Sequence, residues 1–361
     1  MEPEGNVDRR SLTADWRAIV IANPAGAGSR QGNRVTALRY ARIFRGLGIS
    51  VCGSPRYERP SRSGHSSVRR SARADAAGWR GRAVLVALHA RKSASIIADW
   101  STDYPQCPIV LVLTGTDLYE EFGRDRRIEQ SLDLAHRIVV LQRDALRYLP
   151  DRYLAKSRVI VQSAVAPRRR LSPLKSVFEI CVSGHLREVK DPLRAAIAAR
   201  SLPADSRIRI HQLGACLEPK WQRRIAREQA MNGRLKYAGS LPPHRARRLM
   251  ARSRLLVVSS RSEGAPNVAS EAIAAGVPIV SSRISGMVGL LGEDYPGYFK
   301  VGDTLGLRDA MLRAEQDRSW YAELRRRIRA LRPLVAPGRE TVEWDRLLRE
   351  LAADLRRPGC T

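Results

Sequence analysis

The feature that most constrains this fold is an alternation. Short runs of Val, Ile, Leu and Ala, such as "AIVIANP", "AVLVAL", "PIVLVL" and "RIVVL", recur between stretches of helical period along the whole chain. Runs of that length, unbroken by polar residues, suit strands covered on both faces. The intervening helical segments supply the crossovers of a parallel α/β architecture.

The first half starts with "AIVIANP" as a strand, then the glycine-rich loop "AGAGSRQGN". A helix follows with Val35, Leu38, Ala41, Phe44 and Leu47 near one face, ended by Gly48. "ISVCG" reads as a second strand, and residues 54–82, rich in Ser, Arg and Gly, as a loop or poorly ordered insertion. Order resumes with strand "AVLVAL", helix "KSASIIADW", strand "PIVLVL" and helix "RRIEQSLDLA"; "SRVIVQ" is the last strand of this half. "SAVAPRRRLSPLKS" has the prolines and charge of a linker. The alternation then restarts at "VFEICVSG" and runs to "RLLVVSS" and "VPIV", with a helical end after about Asp303. The expected division is an N-terminal Rossmann-like domain over 17–165, a C-terminal one over 177–335, and a helix within 336–361 packing back across the junction.

A chain of 361 residues with 43% apolar residues has material for two cores. No run approaches the ~18 consecutive apolar residues of a membrane span. The opening "MEPEGNVDRR" lacks the basic and apolar regions of a secretory signal. The five cysteines are scattered with no C-x-x-C pair, which suits reduced thiols rather than disulfides or zinc. A cytoplasmic location is the expectation. The formal charge of +28 is nearly all arginine spread along the chain, without the concentrated stripe and interleaved aromatics of a nucleic-acid binder. Neither nucleic acid nor a stable membrane association is expected. Small anionic ligands are.

Two strand-end loops carry the chemistry. In "RSEGAPNVASEAIAAGVP", Glu263 falls in the loop and Glu271 in an early turn of the next helix. Backbone N–H groups at the helix start suit an anion. A carboxylate beside them can accept from the vicinal hydroxyls of a ribose, although an acidic first turn also suits the helix dipole alone. In "SGHLREVKDPLRAA", Gly184, His185, Arg187 and Lys190 precede Asp191-Pro192, read as N-cap and N1 of a fresh helix. Three potentially cationic side chains there suit a diphosphate, or equally a solvated basic loop.

Together, in order and about eighty residues apart, these stretches resemble the E-x7-E segment and the preceding phosphate loop of retaining nucleotide-sugar glycosyltransferases of family 4. The resemblance implies the GT-B fold, two doubly wound Rossmann-like domains facing a central cleft with C-terminal helices. It implies that Glu271 binds ribose hydroxyls, Glu263 touches the donor sugar and Lys190 neutralises the diphosphate. Gly264, Ala265, Pro266, Asn267 and Val268 would lie along sugar and phosphates. His185 stands where the family commonly has arginine, and Arg187 would compensate. "GSRQGNRVTALRYARIFRGLG", "ALHARKSASI", "LTGTDLY" and "DYPGYFKVGDT" further resemble the selenosugar synthases of selenoneine biosynthesis. The implied reaction joins UDP-N-acetylglucosamine or UDP-glucose to selenophosphate, giving a 1-selenosugar, UDP and phosphate. The implied partners are enzymes that supply selenophosphate and consume the selenosugar.

The chemistry asks for cations at the leaving diphosphate, a duty that Lys190 and Arg187 fit. The chain has no Asp-x-Asp pair, and the expectation is no metal and no other cofactor. Selenophosphate is already an anion and needs orientation more than deprotonation. Candidate acceptor groups are Gly28, Ser29, Arg30, Asn33 and Arg34 before one helix, His89, Arg91 and Lys92 before another, and Thr116 and Asp117 at a third strand end. His89 is the first choice for a residue near the reacting centre, against a structural role for a satisfied histidine. Two rivals stand beside this reading. One is a GT-B glycosyltransferase with an alcohol or lipid acceptor. The other is an NAD(P) oxidoreductase, suggested by "GAGSRQG", which is one residue off the dinucleotide spacing.

Overall fold

The computed structural model describes residues 16–25, 32–52, 82–167 and 171–356. They form two compact units. The first draws on residues within 1–141, 146–160 and 341–361, the second on 142–145 and 161–340.

In the first unit six strands, β1 (Ala18–Ala22), β2 (Ser50–Cys52), β3 (Ala83–Leu88), β4 (Ile109–Val112), β5 (Arg137–Val140) and β6 (Ser157–Val159), pair in parallel in the order β2-β1-β3-β4-β5-β6. Every residue of β3 is fully buried, as its unbroken apolar run requires. The helices are α1 (Gly32–Gly46), α2 (Ala94–Asp103), α3 (Thr116–Tyr119), α4 (Arg126–Leu134) and α5 (Asp151–Leu154). The buried face of α1 holds the expected Ala41 and Phe44 but is rotated away from Val35 and Leu38. Thr36, Ala37, Tyr40, Ala41 and Phe44 point inward, while Val35 and Leu38 are about two-fifths exposed. The large rings decide the rotation: Tyr40 and Phe44 pack edge-on against Trp344, with centroids 4.7 and 5.0 Å away. Trp344 lies on the last helix, Pro337–Arg356. Trp16 donates its indole N–H to the Leu348 carbonyl of the same helix.

The second unit repeats the plan with β7 (Phe178–Ser183), β8 (Ile208–Leu213), β9 (Leu235–Gly239), β10 (Leu255–Val258), β11 (Ile279–Ser282) and β12 (Tyr298–Phe299). All are parallel, in the order β12-β11-β10-β7-β8-β9. Helices α6 (Arg194–Ala199), α7 (Pro219–Met231), α8 (Pro243–Arg252), α9 (Asn267–Ala275) and α10 (Ser285–Leu291) connect the strands. The C-terminal helices are α11 (Thr304–Gln316), α12 (Arg318–Ala330) and α13 (Pro337–Arg356). The strand order reverses between β7 and β10, so the loops leaving their carboxyl ends open side by side.

Among the described residues no helix is long and apolar enough to cross a membrane, and Cys52, Cys107, Cys181 and Cys216 form no disulfide.

Candidate functional site

The reversal of strand order builds the site in the second unit. β7 ends at Ser183 and β10 at Val258, and the two loops beyond them are stitched together. Ser259 Oγ donates to the carbonyl of Asp191 at 2.9 Å and reaches that of Lys190 at 3.3 Å. The Arg261 N–H donates to the Val189 carbonyl at 2.8 Å. Held this way, Lys190 forms a close ion pair with Glu263 Oε1, which also accepts from Ser260 Oγ at 2.8 Å. Both side chains keep some access to solvent, 22% for Lys190 and 13% for Glu263. The Lys190 stem lies against Gly184, and a small cavity bounded by Ser183, Gly184, Lys190, Ser260, Glu263 and Pro266 opens beside the pair.

Glu263 is fixed from behind. Ser282 Oγ, at the end of β11, donates to the Ser260 carbonyl at 2.5 Å. Gly286 in α10 backs directly onto the same loop; a Cβ there would lie 2.1 Å from the Glu263 carbonyl oxygen. Gly264, Ala265 and Pro266 are buried. Pro266 precedes α9 and offers no side-chain acceptor to its first-turn N–H groups. The small residues Ala269, Ala272 and Ala274 seat α9 on the sheet. Asn267, Val268 and Glu271 share its half-buried side, at the i, i+1 and i+4 positions. The Glu271 charge is felt at Cys181 in β7, whose thiol is pushed up first by burial and then by that carboxylate.

The loop after β7 departs from expectation in two places. Asp191 does not cap the next helix. It adopts a left-handed conformation (φ 42°) after a short 3-10 turn over Glu188–Lys190, and α6 begins only at Arg194. Pro192 disfavours helical geometry in the residue before it, and the Asp191 carboxylate instead takes Arg194 Nε at 2.9 Å. His185, in place of an arginine, is an anchor: its Nδ1 accepts the Ala215 N–H at 3.1 Å. Gly214 beside it has φ 133°, and a Cβ there would sit 2.0 Å from the Gly184 carbonyl oxygen, so only glycine fits. Tyr237 closes this corner, donating its hydroxyl to the Gly214 carbonyl at 2.8 Å. Arg187 is half-buried, and its Nε has no partner among the described residues. Sequence reasoning missed Gly214, Gly286, Ser259, Ser260 and Ser282. The serine pairs that close "RLLVVSS" and "PIVSS" were the available signal.

In the first unit, Gly28, Ser29 and Arg30 lie outside the described residues, as does most of the 54–82 segment. Asn33 and Arg34 sit in the first turn of α1, and Arg34 Nη1 is buried with no partner among the described residues. β3 and β4 are neighbours, which brings His89 to Thr116. His89 is 2% exposed, adopts φ 70° and takes the Lys92 N–H on Nδ1 at 3.4 Å. The neutral ring then carries its proton on Nε2 and donates to Thr116 Oγ1 at 3.1 Å. Burial lowers the His89 pKa more than nearby Asp117 raises it. Asp117 is fully buried and accepts the N–H groups of Ala90, Thr114 and Gly115 at 2.9, 3.0 and 2.8 Å, so it shapes both loops from inside. Arg91 is held by both oxygens of Glu121 at 2.7 Å, while Lys92 is exposed.

Residues 168–330 match the family described as glycosyl transferases group 1. A Bacillus subtilis (strain 168) protein whose name reads "Putative teichuronic acid biosynthesis glycosyltransferase TuaC" is 31% identical over 86 residues, 24% of this chain and 22% of TuaC. Among solved structures, sucrose-phosphate synthase from Thermosynechococcus elongatus superposes with a TM-score of 0.73 at 16% identity, covering 94% of this chain and 100% of that one. Anabaena HepE, solved with UDP and glucose, gives 0.69 at 15% identity over 94% and 99%. Residues 168–330 thus match the group 1 glycosyltransferase family, and the fold of the chain is GT-B.

Proposed function

We propose that the protein transfers a sugar from a UDP-sugar, UDP-N-acetylglucosamine or UDP-glucose, to selenophosphate. The observation that carries the donor side is the Lys190–Glu263 pair at the strand-order reversal, beside the half-buried Arg187. Solved relatives of the same fold bind UDP with glucose or N-acetylglucosamine, which supports a UDP-sugar donor. Lys190 and Arg187 neutralise the diphosphate as it leaves, aided by the uncapped start of α9. These are the chain's own charges, so the proposed reaction uses no metal and no other cofactor. Glu271 accepts from the ribose hydroxyls and Glu263 from a hydroxyl of the donor sugar.

The resemblance to selenosugar synthases, carried by motifs in both halves, supports the acceptor. Selenium attacks C1 while the bond from C1 to the UDP oxygen breaks, and its electron pair leaves on UDP. Water then cleaves the Se–P bond, giving the 1-selenosugar and phosphate. Arg34, Lys92 and the Thr116 hydroxyl hold the anion, with His89 fixing Thr116. Enzymes that make selenophosphate and use the selenosugar are the pathway partners, in the cytoplasm.

An alcohol acceptor is the second reading, favoured by the match to a glycosyltransferase of teichuronic acid biosynthesis. UDP release separates the two. The selenium reading expects release to rise with selenophosphate and stay at the hydrolysis background with sugar alcohols. The reverse pattern establishes the second reading.

A further inference from the structure

At the amino ends of β8 and β9, opposite to the donor loops, the second unit has an open hollow of about 490 Å³. Three arginines line it, Arg200, Arg209 and Arg234, with Met231 and Asn232, and no carboxylate does.

A buried carboxylate holds one of these guanidinium groups. Glu228, 3% exposed, clamps Arg200 through Nε at 2.9 Å and through Nη2. Asn232, 4% exposed, ties Glu228 Oε1 to the Ala196 carbonyl and accepts the Arg234 backbone N–H at 3.1 Å. The Arg234 side chain is spread over the carbonyls of Pro203, Ser206 and Ile208, which orient it without cancelling its charge. Arg209 is exposed, and its Nη1 donates to the Ile208 carbonyl at 2.9 Å. Cations at helix ends and loop carbonyls are ordinary in ones and twos. Here three arginines line one hollow, and among the described residues Glu228, which does not line it, is the carboxylate paired with one of them. Arg200 spends Nε and Nη2 on Glu228 and Arg234 spends both Nη groups on carbonyls, so an anion here would meet two net positive charges and the remaining N–H groups, chiefly those of Arg209, a charge that suits linked phosphoryl groups.

We propose that this hollow binds an anion with at least two linked phosphoryl groups, at a site separate from the donor loops. Inorganic diphosphate and a nucleoside diphosphate share that chemistry.

The test is calorimetric titration of inorganic diphosphate into Lys190→Ala protein that also carries Arg187→Ala, so that both cations proposed for the donor diphosphate are absent, at physiological salt. One saturable site is expected. Adding Arg200→Gln and Arg209→Gln should weaken it at least tenfold, while far-UV circular dichroism stays unchanged and orthophosphate binds far more weakly than diphosphate throughout. Displacement of diphosphate by UDP in the protein carrying Lys190→Ala and Arg187→Ala identifies a nucleoside diphosphate as the source, and no displacement identifies the inorganic anion. Absence of saturable binding, or equal binding with and without the two arginines, overturns the proposal.

Discussion

Lys190 and Glu263 are 73 residues apart in sequence and form an ion pair because β7 and β10 are neighbouring strands. The pair joins the cation proposed for the diphosphate to the carboxylate proposed for the sugar. Their separate removal should therefore have different effects. Lys190→Ala and Glu271→Ala are each expected to weaken UDP binding about 10- to 100-fold, the range of a lost charge-assisted hydrogen bond. Glu263→Gln should leave UDP affinity unchanged or tighter, because Lys190 loses its competing carboxylate, while the transfer rate falls at least tenfold. Calorimetry with UDP and steady-state rates separate these effects. Unchanged UDP affinity in both alanine variants would place the donor site elsewhere.

Gly214→Ala tests the support under the donor loop. The substitution imposes a Cβ at φ 133° and 2.0 Å from the Gly184 carbonyl oxygen. It should cost about 3 kcal/mol and lower Tm by roughly 6–12 °C, with weaker UDP binding in the folded protein. A variant with the parental Tm contradicts the close approach of the two loops.

His89 titration gives a pH dependence with a definite sign. Its folded pKa lies below the ordinary 6.5, so as the pH falls below 6.5 the unfolded chain takes up a proton that the folded protein refuses. The His89 contribution is fully present above about pH 6.5 and is lost as the pH falls toward the folded value. His136 and His211 are shifted in the same direction, each chiefly by burial. Denaturant unfolding should therefore show declining stability from pH 7 to 5. His89→Asn, which tolerates the positive φ, should reduce that slope and lose about 1 kcal/mol at pH 7 with the Thr116 hydrogen bond. An identical slope in the variant removes His89 from the titration.

Trp344→Ala probes the seat of the last helix against α1. Trp344 is fully buried between Tyr40 and Phe44, and its truncation should cost about 3–5 kcal/mol. Chemical denaturation followed by far-UV circular dichroism measures the loss; less than about 1 kcal/mol contradicts the packing described.

The strands of both sheets except the two-residue β12 were legible, most plainly where unbroken apolar runs such as "AVLVAL" leave a parallel sheet as their natural place. Glu263 and Glu271 were legible because the bend "SEGAPN" and the small-residue helix fix their placement. The face of α1 was misread because periodicity weighs Val35 and Leu38 equally with Tyr40, whereas packing on Trp344, some 300 residues later, favours the rings. Asp191 was misread because Asp-Pro is a good capping pair locally, and the chain needs one more turn before helix geometry is reached. The anchoring of His185 and the burial of Asp117 depend on N–H groups of distant loops. No local pattern announces those. Gly214 and Gly286 matter only through the backbone of other loops, which sequence spacing does not encode.

The most direct test of the central claim is mass spectrometry of anaerobic incubations with UDP-N-acetylglucosamine or UDP-glucose, with and without selenophosphate. The account predicts a hexose or hexosamine product bearing the selenium isotope pattern, formed together with UDP and only when selenophosphate is present. Tight UDP binding with no selenium-containing product from either donor contradicts the acceptor assignment.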